Sequence, residues 1–166
     1  LLARKPDLTE KAIIDGSLCY PQPMMARFCI ASVWMFGWML FSERACRLQL
    51  KLMPKLLPAK MNYPQEIQEY RTPRKTLYTM YRTYMAQYRL KESVRNSHAQ
   101  VMYWYGEKEM KCVKNSARMF QQLLPTCRIY EAKGYGHGYL SVYLPEEWLR
   151  IALPFFEGKD PNAPGE

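Results

Sequence analysis

A histidine in a glycine-rich stretch is the first residue of this sequence that could do chemistry. His137 lies in the stretch GYGHG, residues 134–138, directly after a run of β-forming residues at 127–132. Glycines on both sides let the backbone turn sharply and keep an imidazole clear of crowding. A histidine held in a loop at the end of a strand can take a proton from a nucleophile. We therefore predict that His137 is a general base.

A carboxylate follows an earlier β-rich run in a similar position. The run QVMYWY at 100–105 ends at Gly106, and Glu109 comes three residues later. A carboxylate beside an imidazole holds the ring in one tautomer and stabilises its charged form. Because the carboxyl ends of parallel strands meet at one edge of a sheet, we expect Glu109 and His137 to lie within hydrogen-bond distance.

Other polar residues are weaker candidates. Asp15 ends the first β-rich run and is the rival acid, although we favour a plain strand-exit turn for Asp15-Gly16. We expect the side chain of Glu107 to be solvated and His98 to be an ordinary surface residue. Two distant histidines and scattered cysteines do not make a tetrahedral ligand set, so we predict neither a metal nor a cofactor.

Three short β-rich runs and the helices around them would position these residues. The runs cover Ala12–Ile14, Gln100–Tyr105 and Cys127–Ala132. They lack strict polar alternation at their centres, which is typical of strands covered on both faces. Between the second and third runs, Lys111–Leu124 has one apolar stripe at helical spacing, which predicts a βαβ unit with parallel strands. A last helix is predicted over Glu146–Phe156.

A helical insertion separates the first β-rich run from the second. The segment 20–95 is helical in period, and prolines at 54, 58 and 64 divide it into several helices. Its most apolar part, Phe28–Phe41, is shorter than the roughly 20 residues that a membrane span needs, so we predict a buried helix. Its bulky side chains are candidates for lining an apolar substrate pocket: Trp34, Met35, Phe36, Trp38 and Met39.

The order of these features resembles the C-terminal part of the α/β-hydrolase superfamily. The stretch from Gly106 to Glu109 resembles the family's Gly-x-x-Asp after the seventh strand, with glutamate in the place of aspartate, and GYGHG resembles its histidine loop. The opening LLARKPDLTEKAIIDGSL resembles the stretch that leads from the helix behind the nucleophile into the sixth strand. The resemblance implies an α/β fold class, a partial α/β-hydrolase fold with parallel strands flanked by helices and a helical cap insertion.

The resemblance also implies a domain organisation and a reaction. Residues 1–19 would be the end of the post-nucleophile helix with the sixth-strand region, 20–95 the cap, 96–158 the C-terminal part of the core, and 159–166 a flexible tail. Family members carry nucleophile, acid and histidine in that chain order, and no Gly-x-Ser-x-Gly occurs here. We therefore expect the nucleophile to precede Leu1 and this segment alone to be inert.

The implied activity is hydrolysis of an ester, a thioester or a similar small apolar substrate by a nucleophile–acid–histidine triad. Two alternatives belong to other functional classes. One is a non-catalytic α/β-hydrolase-like binding protein, and the other is a basic, membrane-peripheral helical protein. The presence or absence of a nucleophile motif in the sequence before Leu1 would separate the first alternative from the enzyme.

Positive charge is concentrated in the middle of the chain. The net charge is +9, and residues 41–100 hold twelve basic and four acidic side chains. Such a surface attracts anionic lipids or acidic substrates. Since RRM, KH and zinc-finger patterns are absent, we predict no nucleic-acid partner. The predicted partners are a small apolar substrate and, peripherally, an anionic membrane.

The cysteines and the chain's opening bear on its location. The five cysteines have no CxxC spacing, and we interpret them as small buried apolar residues in a reducing compartment. No leader peptide is visible at the start of the sequence. A cytoplasmic location is therefore expected.

Overall fold

A computed structural model describes residues 1–42, 44, 45, 48 and 74–159 of the chain. The chain divides into two compact units, one made of Leu1–Tyr20 with Arg89–Glu166 and the other of Pro21–Tyr88. Most of the predicted tail, 160–166, lies outside the described residues. In chain order the described elements are β1 (Lys11–Asp15), α1 (Pro23–Phe41), α2 (Arg74–Thr79), a π-helical turn (Met80–Met85), a 3₁₀ turn (Glu92–Asn96), β2 (Gln100–Gly106), α3 (Lys111–Leu123), β3 (Arg128–Ala132), α4 (Tyr139–Tyr143) and α5 (Pro145–Glu157).

The first unit contains a parallel sheet with the strand order β1-β2-β3. Asp15 pairs in register with Trp104, and Gly106 pairs with Ala132, so the three strands end at the same edge. The predicted strands, the parallel βαβ arrangement and the α/β class are therefore confirmed. The strand ends differ from the predicted ones by at most one residue.

The central strand β2 is buried on both of its faces. Val101 and Tyr103 lie in one apolar cluster with Phe120 of α3, whereas Met102 and Trp104 lie in a second cluster with residues of α4 and α5. Successive side chains of a strand point to opposite sides, so helices on both sides require apolar residues at every position. This requirement explains why QVMYWY shows no polar alternation.

The second unit contains α1, and its outer face differs from the prediction. Ala26 and Val33 are buried on the side towards the segment 74–85, as expected for a packed helix. On the other side Phe28 and Trp34 are 73% and 74% exposed. Within these 166 residues this face is therefore not buried, because α1 is apolar all round while the described neighbours contact only part of it. The burial of the helix in a complete protein stays a prediction.

The predicted apolar pocket includes side chains on this exposed face of α1. Trp34 and Met35 are exposed side chains in the structure. The side chains of Phe36, Trp38 and Met39 lie outside the described residues. In the part of the chain that the structure describes, none of the helices is long and apolar enough to cross a membrane.

Candidate active site

Glu109 is held by the turn that leaves β2. Its backbone N–H donates a hydrogen bond to Gly106 O (2.9 Å), which closes the turn directly before α3. Its side-chain Oε1 accepts a hydrogen bond from the backbone N–H of Met110 (3.0 Å), and the side chain is only 1% exposed. A buried carboxylate is stable only when such partners satisfy it, so this turn fixes the direction of the charge.

His137 completes the pair from the neighbouring strand end. Its Nδ1 lies 2.8 Å from Glu109 Oε2, and its side chain remains 63% exposed. The structure therefore brings together the two residues that the sequence singled out. With Nδ1–H donating to the carboxylate, the neutral ring carries its free lone pair on Nε2, where it can accept a proton.

The turn after β1 forms one wall of the imidazole site. Gly16 has a φ of +55° and its N–H donates to Trp104 O (2.9 Å). A Cβ at Gly16 would lie 2.7 Å from His137 Cε1 and 2.8 Å from its Nδ1. Any other residue would therefore push the ring away from Glu109, a constraint that the sequence analysis did not identify. A glycine directly after a strand was the only signal for it.

Gly106 permits an equally close approach of the histidine loop to β2. A Cβ at this position would lie 2.6 Å from the backbone oxygen of Gly136 and closer still to that of Tyr135. Lys108 N–H also donates to Tyr135 O (2.9 Å). The end of β2 and the loop therefore pack backbone against backbone, and a side chain at Gly106 does not fit between them.

Asp15, the rival acid, is bound elsewhere. Its Oδ2 accepts a hydrogen bond from Ser141 Oγ (2.8 Å), in the helix that follows the histidine loop. Asp15 thus links the end of β1 to α4, whereas the His137 ring donates its Nδ1–H hydrogen bond to Glu109. The geometry favours Glu109 over Asp15 as the partner of the histidine.

Glu107 has a contact that the sequence did not indicate. We expected a solvated side chain, and the residue is exposed, but its Oε2 accepts a hydrogen bond from Gly134 N–H (2.8 Å). Gly134 has a φ of +79°, so its N–H is presented by a turn that other residues rarely adopt. The carboxylate therefore fastens the start of the histidine loop to the end of β2.

This fastening is expected to depend on pH. The hydrogen bond from Gly134, together with Lys133, lowers the pKa of Glu107 below its ordinary value. A carboxyl with a lowered pKa stabilises the folded form above its unfolded pKa, and the stabilisation is lost as pH falls through the folded value. We expect the contact to be intact at neutral pH and to open only in acid, at a pH below the ordinary pKa of a glutamate side chain.

The measurement is an NMR titration of the Gly134 amide. In the unaltered chain this amide should shift in the acid range, and in Glu107→Gln that acid step should disappear, because an amide does not titrate. Glu147→Gln, at an exposed carboxylate bonded to Arg150, is the matched control and should leave the step in place. An unchanged acid step in Glu107→Gln would show that another group causes it.

The second histidine lies away from this site. His98 is exposed, as predicted, and its Nδ1 lies 2.6 Å from Asp7 Oδ1, also exposed. Among the described residues, no group of three or more histidine, cysteine, aspartate or glutamate side chains could hold a metal ion.

The sequence of this chain matches no family model and no curated protein. Its structure does match solved structures. An E-2-(acetamidomethylene)succinate hydrolase is 17% identical, with a TM-score of 0.65, over 94% of this chain and 60% of the other. The carboxylesterase CesB from Bacillus subtilis is 18% identical, with a TM-score of 0.59, over 95% and 54% of the two chains.

A third match is a serine hydrolase from Cycloclasticus zankles. It is 17% identical, with a TM-score of 0.62, over 95% of this chain and 59% of the other. The present chain thus spans about 60% of the length of the first matched structure and less of the two others. At sequence identities of 17% to 18%, these matches show similarity of the fold alone.

Proposed function

We propose that this chain, which has part of the α/β-hydrolase fold, supplies the acid and the histidine of a nucleophile–acid–histidine triad. The fold is supported by the structural matches to hydrolases, and the proposed substrate is an ester, a thioester or a similar small apolar compound. The observation that carries the proposal is the 2.8 Å contact between His137 Nδ1 and the buried carboxylate of Glu109.

The proposed reaction uses His137 as a general base and then as a general acid. Its Nε2 would take the proton of a nucleophile that attacks the acyl carbon, and would later return a proton to the leaving group. Glu109 would hold the tautomer that leaves Nε2 free, and its negative charge would stabilise the imidazolium that forms. Glu109 is buried, whereas His137 is 63% exposed, so in these 166 residues water screens the interaction from the imidazole side.

The nucleophile and the oxyanion hole would come from outside these 166 residues. The sequence contains no Gly-x-Ser-x-Gly, the motif that places a serine on a strained turn in this fold. The chain as given would then be inert, while a longer protein containing it would hydrolyse esters. A serine is the nucleophile that we propose, because it is the usual one in this superfamily.

The experiment is a comparison of ester hydrolysis by the longer protein and two histidine variants. His137→Ala should lower kcat/KM for short p-nitrophenyl esters by several orders of magnitude, because the nucleophile loses its base. His98→Ala is the matched control, since this histidine is exposed and, within the described residues, its ring contacts Asp7 rather than the Glu109 site. No hydrolysis by a longer protein that does carry a nucleophile motif, or full activity in His137→Ala, would favour the non-catalytic binding protein.

We also propose a cytoplasmic, reducing location. Four cysteines within the described residues carry free thiols: Cys19, Cys29, Cys112 and Cys127. Burial raises the pKa of the Cys127 thiol to about 11, so this thiol is neutral and unreactive at physiological pH. Its role is packing between β3 and the core. Free thiols support, but do not by themselves require, a reducing compartment.

A further inference from the structure

The outer face of α1 presents a stripe of apolar side chains. The stripe consists of Met24, Phe28, Ala31, Trp34 and Met35, which are all exposed and recur at intervals of three or four residues. Residues at this spacing lie on one face of a helix. The four large side chains are each 52% to 74% exposed. A continuous apolar face of this kind is uncommon on a protein that contacts only water.

The unit that carries the stripe is strongly basic. Pro21–Tyr88 contains ten lysine and arginine residues and three glutamates, so it holds +7 of the net charge of +9. Arg27 lies on the stripe itself, and Arg44, Lys75 and Arg82 are further exposed cations of this unit. The three glutamates of the unit are at positions 43, 66 and 69.

We propose that this face docks on an anionic lipid surface, with the apolar stripe entering the interfacial layer and Arg27 contacting lipid headgroups. Phenylalanine, tryptophan and methionine bury apolar area in the headgroup boundary, and tryptophan favours this depth. Each lysine or arginine near an anionic leaflet adds about a fivefold gain in binding. A nucleic acid would use the charge and leave the stripe unexplained, whereas a second copy of the chain would bring the same positive charge.

The docking surface is independent of the proposed chemistry. Its residues belong to Pro21–Tyr88, while Glu109 and His137 belong to the other unit. Docking would bring the protein to apolar substrates dissolved in lipid.

The test is sedimentation of the 166-residue chain with vesicles of phosphatidylcholine and phosphatidylserine, and with vesicles of phosphatidylcholine alone. We expect binding to the anionic vesicles that weakens at high salt, and much weaker binding to the neutral ones. The double variant Phe28→Ser with Trp34→Ser should bind about tenfold more weakly or worse, because its apolar contribution is lost. The double variant Leu149→Ser with Leu153→Ser changes two exposed leucines of α5 and is the matched control.

A charge variant keeps the test decisive if the serine variant unfolds. Arg27→Gln removes the cation that lies on the stripe and should weaken binding about fivefold, while Lys108→Gln in the other unit should change it little. Absence of binding to anionic vesicles would overturn the proposal. Equal binding by the double variant Phe28→Ser with Trp34→Ser would also overturn it. A further contrary result would be a dimer in solution that this double variant dissociates without changing lipid binding. Salt-sensitive binding to duplex DNA without binding to vesicles would also overturn it.

Discussion

Replacing Glu109 by glutamine in the longer hydrolase that we propose is expected to lower kcat/KM by about 10⁴, the loss seen when the orienting carboxylate of a related triad becomes an amide. The carboxylate accepts a hydrogen bond from His137 Nδ1–H (2.8 Å between Oε2 and Nδ1) and is almost fully buried. A glutamine keeps the shape of the side chain but removes the negative charge, and its amide can favour the wrong tautomer. Ground-state binding should change little, so the loss should appear in kcat.

Asp15→Asn is the matched comparison, because Asp15 is the rival acid at the same edge of the sheet. Its carboxylate accepts a hydrogen bond from Ser141, which an asparagine oxygen can also accept. This variant should therefore cost far less activity. Thermal melts of both variants would separate lost chemistry from unfolding. An inactive Asp15→Asn together with a nearly unaffected Glu109→Gln would assign the acid to the end of β1 and contradict our proposal.

Gly106→Ala is expected to displace the loop that carries His137 and to destabilise the 166-residue chain itself. The added methyl group would meet the backbone oxygens of Tyr135 and Gly136, and backbone cannot rotate away as a side chain can. Overpacking of this kind costs about 1 to 3 kcal/mol of unfolding free energy. Urea unfolding would measure the loss, and the imidazole resonances of His137 would report whether its contact with Glu109 survives.

Gly136→Ala provides the control for this prediction. Nothing lies within 4 Å of a Cβ built at Gly136, and its φ is not positive, so alanine should fit there. The two variants add the same methyl group to the same contact region, one on each side of it. If Gly106→Ala were as stable as the unaltered chain and kept the His137 resonances unchanged, the tight contact between β2 and the loop would not be important for the site.

The pairing of Glu109 with His137 could be predicted because it follows from local patterns and one topological rule. Each residue comes shortly after a glycine-terminated, β-forming run, and a helix lies between the two runs. A strand–helix–strand unit has parallel strands, and parallel neighbours end at the same edge of a sheet. The loops that follow the two strands must then lie close together, independently of the rest of the fold.

The restraints on His137 could not be predicted, because they depend on backbone atoms of distant residues. Gly16 lies next to the imidazole only because β1 pairs with β2 in the register that matches Asp15 with Trp104. Glu107 binds Gly134 only because that glycine turns its N–H towards the end of β2. A one-residue shift between β1 and β2 would move Gly16 away from the ring, and a one-residue shift between β2 and β3 would separate Glu107 from Gly134. Because β2 is apolar along its length, its residue pattern does not indicate which register forms.

The sequence alone determined the α/β class, the parallel strands, the acid–histidine pair and the concentration of positive charge in 41–100, since each depends on residue type, on spacing along the chain or on a count. The tertiary structure decided which side of α1 is covered. This helix is apolar all round, so it has no polar face that would indicate its exposed side. Which side is buried depends on the neighbours that pack against it, and these cover Ala26 and Val33 but leave Phe28 and Trp34 in contact with solvent.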